Sequence, residues 1–179
     1  MNFEQMIGLG VAGNFAGHLE QAGEAADFTQ VKTENAIQPK AIFPFYVPSE
    51  KAGFLSTFPL SHNQINFPQG ADNLQIEPEI TLICDLTYKG KQVEHIIPHY
   101  FAAYNDCSIR RPNAKKICEK KNWGSASKGI SSKLIPLSLL REVKLINIVS
   151  LASINAMASS IRMVLTALLL VIAISTNNY

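Results

Sequence analysis

The sequence predicts a β-rich domain of the α+β class, and three observations carry that prediction. Residues 74–86 contain Thr81-Leu82-Ile83-Cys84, a run of the kind that fills a buried strand. Lys89-Gly90-Lys91 follows as a turn, and residues 92–97 read as the partner strand. Before residue 138, helical character is confined to short stretches, chiefly residues 15–26 and 113–121.

The remaining elements follow in chain order. Residues 4–11 read as a short buried strand entering a glycine turn, and Gly13-Asn14 as the turn that starts the helix at 15–26. Residues 27–40 are polar and irregular. Residues 41–47 are apolar and aromatic, but Pro44 and Pro48 confine them to a sheet edge or an irregular extended run, because proline cannot donate to a ladder. Residues 65–67 are a further strand candidate. Residues 100–104 form a helix or strand that delivers a corner at Asn105-Asp106, and Asn113 is positioned to cap the helix over 113–121. Residues 122–132, rich in Gly, Ser and Lys, read as loop.

Length and charge set bounds. The chain has 179 residues, enough for one domain with a real core. The net charge of +2 gives no field for nucleic acid, and no nucleic-acid partner is expected. The bases Arg110, Arg111, Lys115, Lys116, Lys120 and Lys121 read as a solvated loop or helix face. Trp123 alone supplies the aromatic interleaving that a nucleic-acid surface uses. Cys84, Cys107 and Cys118 are odd in number and lack metal-type spacing, so they read as reduced thiols of a cytoplasmic protein. Residues 1–5 are polar and do not resemble a secretory leader.

The chemistry concentrates in Glu77-Pro78-Glu79 and Asn105-Asp106-Cys107-Ser108-Ile109-Arg110. On a strand, residues two apart share a face at a separation of about 7 Å. Two carboxylates on one face repel and resist desolvation unless a cation sits between them. Three oxygen ligands, Glu77, Glu79 and Asp106, suit Mg²⁺, Mn²⁺ or Ca²⁺ better than zinc. Taken alone, E-x-E is also the pattern of a solvated acidic edge strand. Gly8 and Gly10 do not make a dinucleotide fingerprint, since the third glycine and the distal acid are missing.

Upstream, residues 7–24 read Ile-Gly-Leu-Gly-Val-Ala-Gly-Asn-Phe-Ala-Gly-His-Leu-Glu-Gln-Ala-Gly-Glu. Together with the two acidic motifs this resembles the fumarylacetoacetate hydrolase family. That family opens with G-x-G, continues with N-[YF]-x-x-H-x-x-E-x-G and a proline-aromatic segment, and carries E-x-E, N-D-x-S-x-R and W…K…P. The matching positions are Gly8, Gly10, Asn14, Phe15, His18, Gly23, Glu77, Glu79, Asn105, Asp106, Ser108, Arg110, Trp123, Lys128 and Pro136. The resemblance implies a fumarylacetoacetase-like β-roll or barrel, incomplete because its closing strands and its G-T-P-x-G turn have no counterpart here.

It also implies a function: a metal-dependent hydrolase or lyase that cleaves a carbon–carbon bond of a small, acylpyruvate-like oxo-acid. Glu77, Glu79 and Asp106 would hold Mg²⁺ (or Mn²⁺ or Ca²⁺), and Lys128 would offset the substrate's negative charge. His18 would activate water from a mobile lid, with Glu20 as a nearby candidate partner, since Gln21 stands where the family has glutamate. For His18 the alternative is a histidine on a helix surface. Arg110 would anchor a substrate carboxylate; its alternative is a structural ion pair beneath the metal. His62 could line the site, whereas His95 and His99, around Pro98, read as surface residues. The family commonly dimerises, so a homodimer is expected. The rival reading is an inactive remnant of the family.

The tail differs in character. Residues 145–175 hold a single charge, Arg162, and the final apolar run falls short of the ~20 residues that span a bilayer. A domain over residues 1–137 and an apolar, helical tail over 138–179 are therefore expected. The tail reads as the product of a shifted reading frame, as a membrane contact through residues 145–175, or as a buried helix.

Overall fold

The computed structural model describes residues 1–12, 40–71, 73–109, 114–141 and 170–175. Ten strands run in chain order: β1 Met6–Ala12, β2 Ala41–Tyr46, β3 Leu60–Ser61, β4 Leu74–Gln75, β5 Pro78–Lys89, β6 Gln92–Asn105, β7 Ser108–Ile109, β8 Lys128–Ile130, β9 Ile135–Pro136 and β10 Leu170–Ser175. Among the described residues one short helix, α1, covers Ile117–Lys121, and 3-10 turns lie at Phe3–Gln5, Glu50–Ser56 and Leu137–Arg141.

The principal sheet has the order β2-β1-β10-β5-β6-β8-β3, with β9 paired to β6 beside that path. Its centre is the β5–β6 hairpin, which runs in register from Pro78↔Asn105 to Lys89↔Gln92 and turns at Gly90-Lys91. Gly90 has φ 64°, the left-handed backbone such a tight turn needs. Two register shifts mark bulges, one beside Pro98, where the missing N–H interrupts the ladder. The far part of the hairpin is largely exposed, including Tyr88, Val93, Ile96 and Ile97.

The sheet curls strongly. Phe45 on β2 and Tyr104 on β6 have three strands between them, so a flat sheet would hold them about 19 Å apart. Their ring centroids are 6.0 Å apart. The core fills this concave side with Ala12, Phe43, Phe45, Tyr46, Ala102, Tyr104, Cys118 and Ile130. Gly8 and Gly10 belong to the same packing. A Cβ on Gly8 would lie 2.4 Å from the Phe45 ring, and one on Gly10 2.3 Å from the Phe43 ring. The two glycines admit aromatic rings across a tightly bent sheet.

Several expectations are corrected. The sheet path ends at β2 and β3, so among the described residues it is open, not a closed barrel. Among the described residues the expected apolar C-terminal helix is not found: residues 170–175 form β10, antiparallel to β1 and parallel to β5. Val171, Ile172 and Ile174 are β-branched and favour extended backbone. The rest of the tail, residues 142–169 and 176–179, lies outside the described residues, as does the helix expected at 15–26.

Residues 65–67 form no strand, α1 is shorter than the helix expected over 113–121, and β8 occupies part of the expected loop at 122–132. Residues 41–47 do supply an edge strand, and residues 100–104 lie within β6. Among the described residues no helix is long and apolar enough to cross a membrane.

Candidate functional site

The hairpin register creates the site. β5 begins where β6 ends, with Pro78 opposite Asn105 and Glu79 opposite Tyr104. Just outside this ladder, β4 and β7 pair as Leu74↔Ile109 and Gln75↔Ser108. Between the two ladders the Asp106 N–H donates to the Glu77 carbonyl at 2.9 Å. The Glu77 N–H in turn donates to Asn105 Oδ1 at 3.1 Å. Proline is tolerated at Pro78 because it is the first residue of its strand. Two chain segments far apart in sequence thus bring three acids to one point.

Glu77, Glu79 and Asp106 each place a carboxylate oxygen within 4.8 Å of the others. Asp106 is fully buried, Glu79 is 4% exposed, and the Glu77 side chain is 10% exposed. Ser108 Oγ donates to Glu77 Oε1 at 2.6 Å.

Two buried lysines face the acids. Lys121, the last residue of α1, places Nζ 2.8 Å from Glu77 Oε2 and 2.7 Å from Asp106 Oδ2, and donates to the Asp106 carbonyl at 3.2 Å. Lys128 Nζ lies 2.9 Å from Asp106 Oδ1 and donates to the Cys107 carbonyl. The β6–β8 register, Asn105↔Gly129, carries Lys128 beside Asp106. Both ammonium groups lie within ion-pairing distance of the Asp106 carboxylate oxygens. Glu79 Oε2 is buried without a hydrogen-bond partner. The Trp123 ring centroid is 5.8 Å from Lys128 Nζ, and its Nε1–H is held by the Asn66 carbonyl at 2.8 Å.

The electrostatics follow from burial and pairing. Burial pushes the Glu79 carboxyl well above the ordinary carboxylate range, and Asp106 adds to the rise. Burial also opposes charge on Asp106, but Lys121 and Lys128 outweigh it and hold Asp106 below its usual value. Lys121 is raised above the usual lysine value: burial opposes its charge, but Asp106, Glu77 and Glu79 favour it more. Burial lowers Lys128; Asp106 offsets this only in part, and Lys121 lowers it further. Across the ladder from Glu79, Tyr104 is raised well above the usual phenol value by burial and then by Asp106.

The structure therefore joins Glu77, Glu79, Asp106 and Lys128, all expected from the sequence. The oxygen donor set could hold a divalent ion: three carboxylates converge, and the buried Glu79 Oε2 has no other partner. His18, Glu20 and Arg110 lie outside the described residues. His62 is not part of this group; its Nδ1 is 2.9 Å from the Ile130 carbonyl. His95 and His99 are exposed, and His99 pairs with Asp85 at 2.9 Å. All three cysteines are buried and free. The sequence places Lys121 on a solvated basic face, and its burial between two acids is the main feature that sequence reasoning misses.

Residues 24–163 match a family of unknown function, DUF5718. The chain belongs to this family. No curated protein and no solved structure matches it. The DUF5718 match overturns the resemblance to the fumarylacetoacetate hydrolase family: short motifs at similar spacings did not reflect membership of that family. The DUF5718 span contains all five charged residues of the site, and it continues past residue 137.

Proposed function

We propose that this chain is a divalent-cation-dependent hydrolase or lyase acting on a small oxo-acid by cleavage of a carbon–carbon bond. The observation that carries the cation site is the Glu79 carboxyl: its Oε2 is buried without a hydrogen-bond partner, and one of its oxygens lies within 4.8 Å of carboxylate oxygens of Glu77 and Asp106. A buried carboxylate is costly unless it is protonated or paired with a cation. Glu77, Glu79 and Asp106 would hold Mg²⁺ or Mn²⁺, with Ca²⁺ as the larger option. When bound, such an ion polarises carbonyl and carboxylate oxygens and stabilises negative charge that develops on them.

The chain's own residues have separate tasks in this reading. Ser108 and Asn105 fix Glu77 through its side chain and backbone. Lys128 fixes Asp106 and keeps positive charge beside the place where an anionic substrate would approach. Burial of Glu79, Asp106, Lys121 and Lys128 keeps water from most of the group and strengthens these interactions.

The test begins with metal-stripped protein. Mg²⁺ or Mn²⁺ should raise the melting temperature, since an ion that binds only the folded state stabilises it by mass action. Glu79→Gln should remove that rise. Turnover is then assayed on acylpyruvates, following loss of enol absorbance in the presence of the ion. Cation binding without turnover of any small oxo-acid would leave a cation site and remove the enzymatic reading.

A second reading has its own observation. Lys121 already spans Glu77 and Asp106, as it would in a purely structural ion-pair cluster. That reading expects no thermal response to any divalent ion and a stabilised Glu79→Gln protein.

A further inference from the structure

Lys121 claims the same carboxylates that a divalent ion would need. Its Nζ contacts Glu77 Oε2 and Asp106 Oδ2 at 2.8 and 2.7 Å, and its side chain is 5% exposed. These are ammonium–oxygen distances. Mg²⁺ holds oxygens at about 2.0–2.1 Å and Ca²⁺ at about 2.3–2.6 Å, so both grip the same atoms more closely. An ammonium and a divalent ion on one pair of carboxylates repel strongly in a site with little water.

The surroundings make a change at Lys121 local. The following residue, Asn122, donates from Nδ2 to the Phe45 carbonyl at 2.7 Å and to the Thr57 carbonyl at 3.1 Å. That anchor ties the end of α1 to β2, so a displacement of the ammonium would come from rotation about the four-carbon lysine stem. Lys128 is held differently, by Asp106 Oδ1 and the Cys107 carbonyl, and makes no contact with Glu77. Lys121 is thus the lysine that stands across the two acids.

We propose that Lys121 is a built-in competitor for the cation: it neutralises Glu77 and Asp106 in the ion-free protein and withdraws from them when a divalent ion binds. The proposal rests on the cation-site reading given above. It makes Lys121 a determinant of specificity, because an ion must outcompete a tethered ammonium for two carboxylates. Monovalent ions, with the same charge as the lysine and no tether, fail that competition.

Full-length, metal-stripped wild-type protein and Lys121→Met are titrated with Mn²⁺, with free Mn²⁺ read by electron paramagnetic resonance. Lys121→Met should bind Mn²⁺ at least tenfold more tightly, and its melting temperature in EDTA should be lower than wild type. Equal or weaker binding by Lys121→Met, with wild type binding normally, overturns the competitor role and leaves the cation site standing. Binding by neither protein removes the cation site and the proposal together.

Should Lys121→Met fail to fold, wild-type protein supplies the test through chemical labelling of lysines. Lys121 should resist reductive methylation without ion and become reactive when Mn²⁺ is bound. Protection in both states, with Mn²⁺ bound, would show that the lysine never leaves and would sink the proposal.

Discussion

Asp106 and Glu77 are joined twice, once by a main-chain hydrogen bond of 2.9 Å and once through the Lys121 ammonium that contacts both side chains. The main-chain link continues the antiparallel register of the β5–β6 hairpin toward β4 and β7. The side-chain link fastens α1 to the same place. A single residue, Asp106, therefore holds the end of a hairpin, a helix terminus and, through Lys128, the start of β8.

Replacing Asp106 by Asn should destabilise the ion-free protein by about 3–5 kcal/mol, because it leaves two buried ammonium groups without their shared counter-charge. Glu77→Gln should cost less, since Asp106 still faces Lys121 and the Glu77 side chain is closer to solvent. Urea unfolding in EDTA measures both. Equal losses would mean that the Asp106 pairs do not dominate.

The pH dependence of the ion-free protein has a definite sign. The folded Glu79 carboxyl is raised well above its ordinary value of 4.5, so its contribution is complete below that value and is lost as pH rises through the folded value. Asp106 is lowered from 3.8, so its contribution is present above that value and is lost as pH falls through the folded value. Stability should therefore fall in strong acid through Asp106 and decline on the alkaline side of about pH 4.5 through Glu79. Glu79→Gln should flatten the second decline and leave the first. Melting temperatures against pH, compared between wild type and the variant, isolate the Glu79 share from that of Lys128.

Strand periodicity makes Glu77 and Glu79 legible as a pair, whereas Asp106 joins them only through a motif resemblance; the full β5–β6 register, with its two shifts, is what brings Asp106 to them. Lys121 was not legible. It follows Lys120 in a basic stretch, and only burial of its side chain among acids distinguishes the two. One signal was available: three acids on buried segments exceed the one lysine, Lys128, then assigned to them. The curl of the sheet was also hidden, since the reason for Gly8 and Gly10 is aromatic packing from β2, beyond the reach of local pattern. Tail residues 170–175 were misread because a long apolar run carries no period that separates a buried strand from a helix.

Gly10→Ala tests the curl. Its new Cβ would lie 2.3 Å from the Phe43 ring, and the backbone or the ring must shift. Overpacking of this kind costs about 1–3 kcal/mol. Pairing it with Phe43→Leu should give a double variant that loses less than the sum of the two single changes, because the ring that obstructs the methyl is gone. Strict additivity in urea unfolding would show that Phe43 is not what excludes a side chain at Gly10.

The position of β10 yields the last prediction. Ile172 pairs with Leu9 on β1 and with Leu82 on β5, so its backbone lies in mid-sheet with a neighbour on each side. Proline there removes an N–H from the ladder and is tolerated only at edges or bulges. Ile172→Pro should therefore separate β1 and β2 from the β5–β6 hairpin and abolish cooperative unfolding. The same substitution at Ile42, on edge strand β2 and 64% exposed, should be milder. If residues 170–175 were instead a helix laid on the sheet, Ile172→Pro would leave the β1 and β5 amides as well protected from hydrogen exchange as in wild type. Loss of protection at Leu9 and Leu82, with Ile42→Pro sparing Leu82, is the expected outcome.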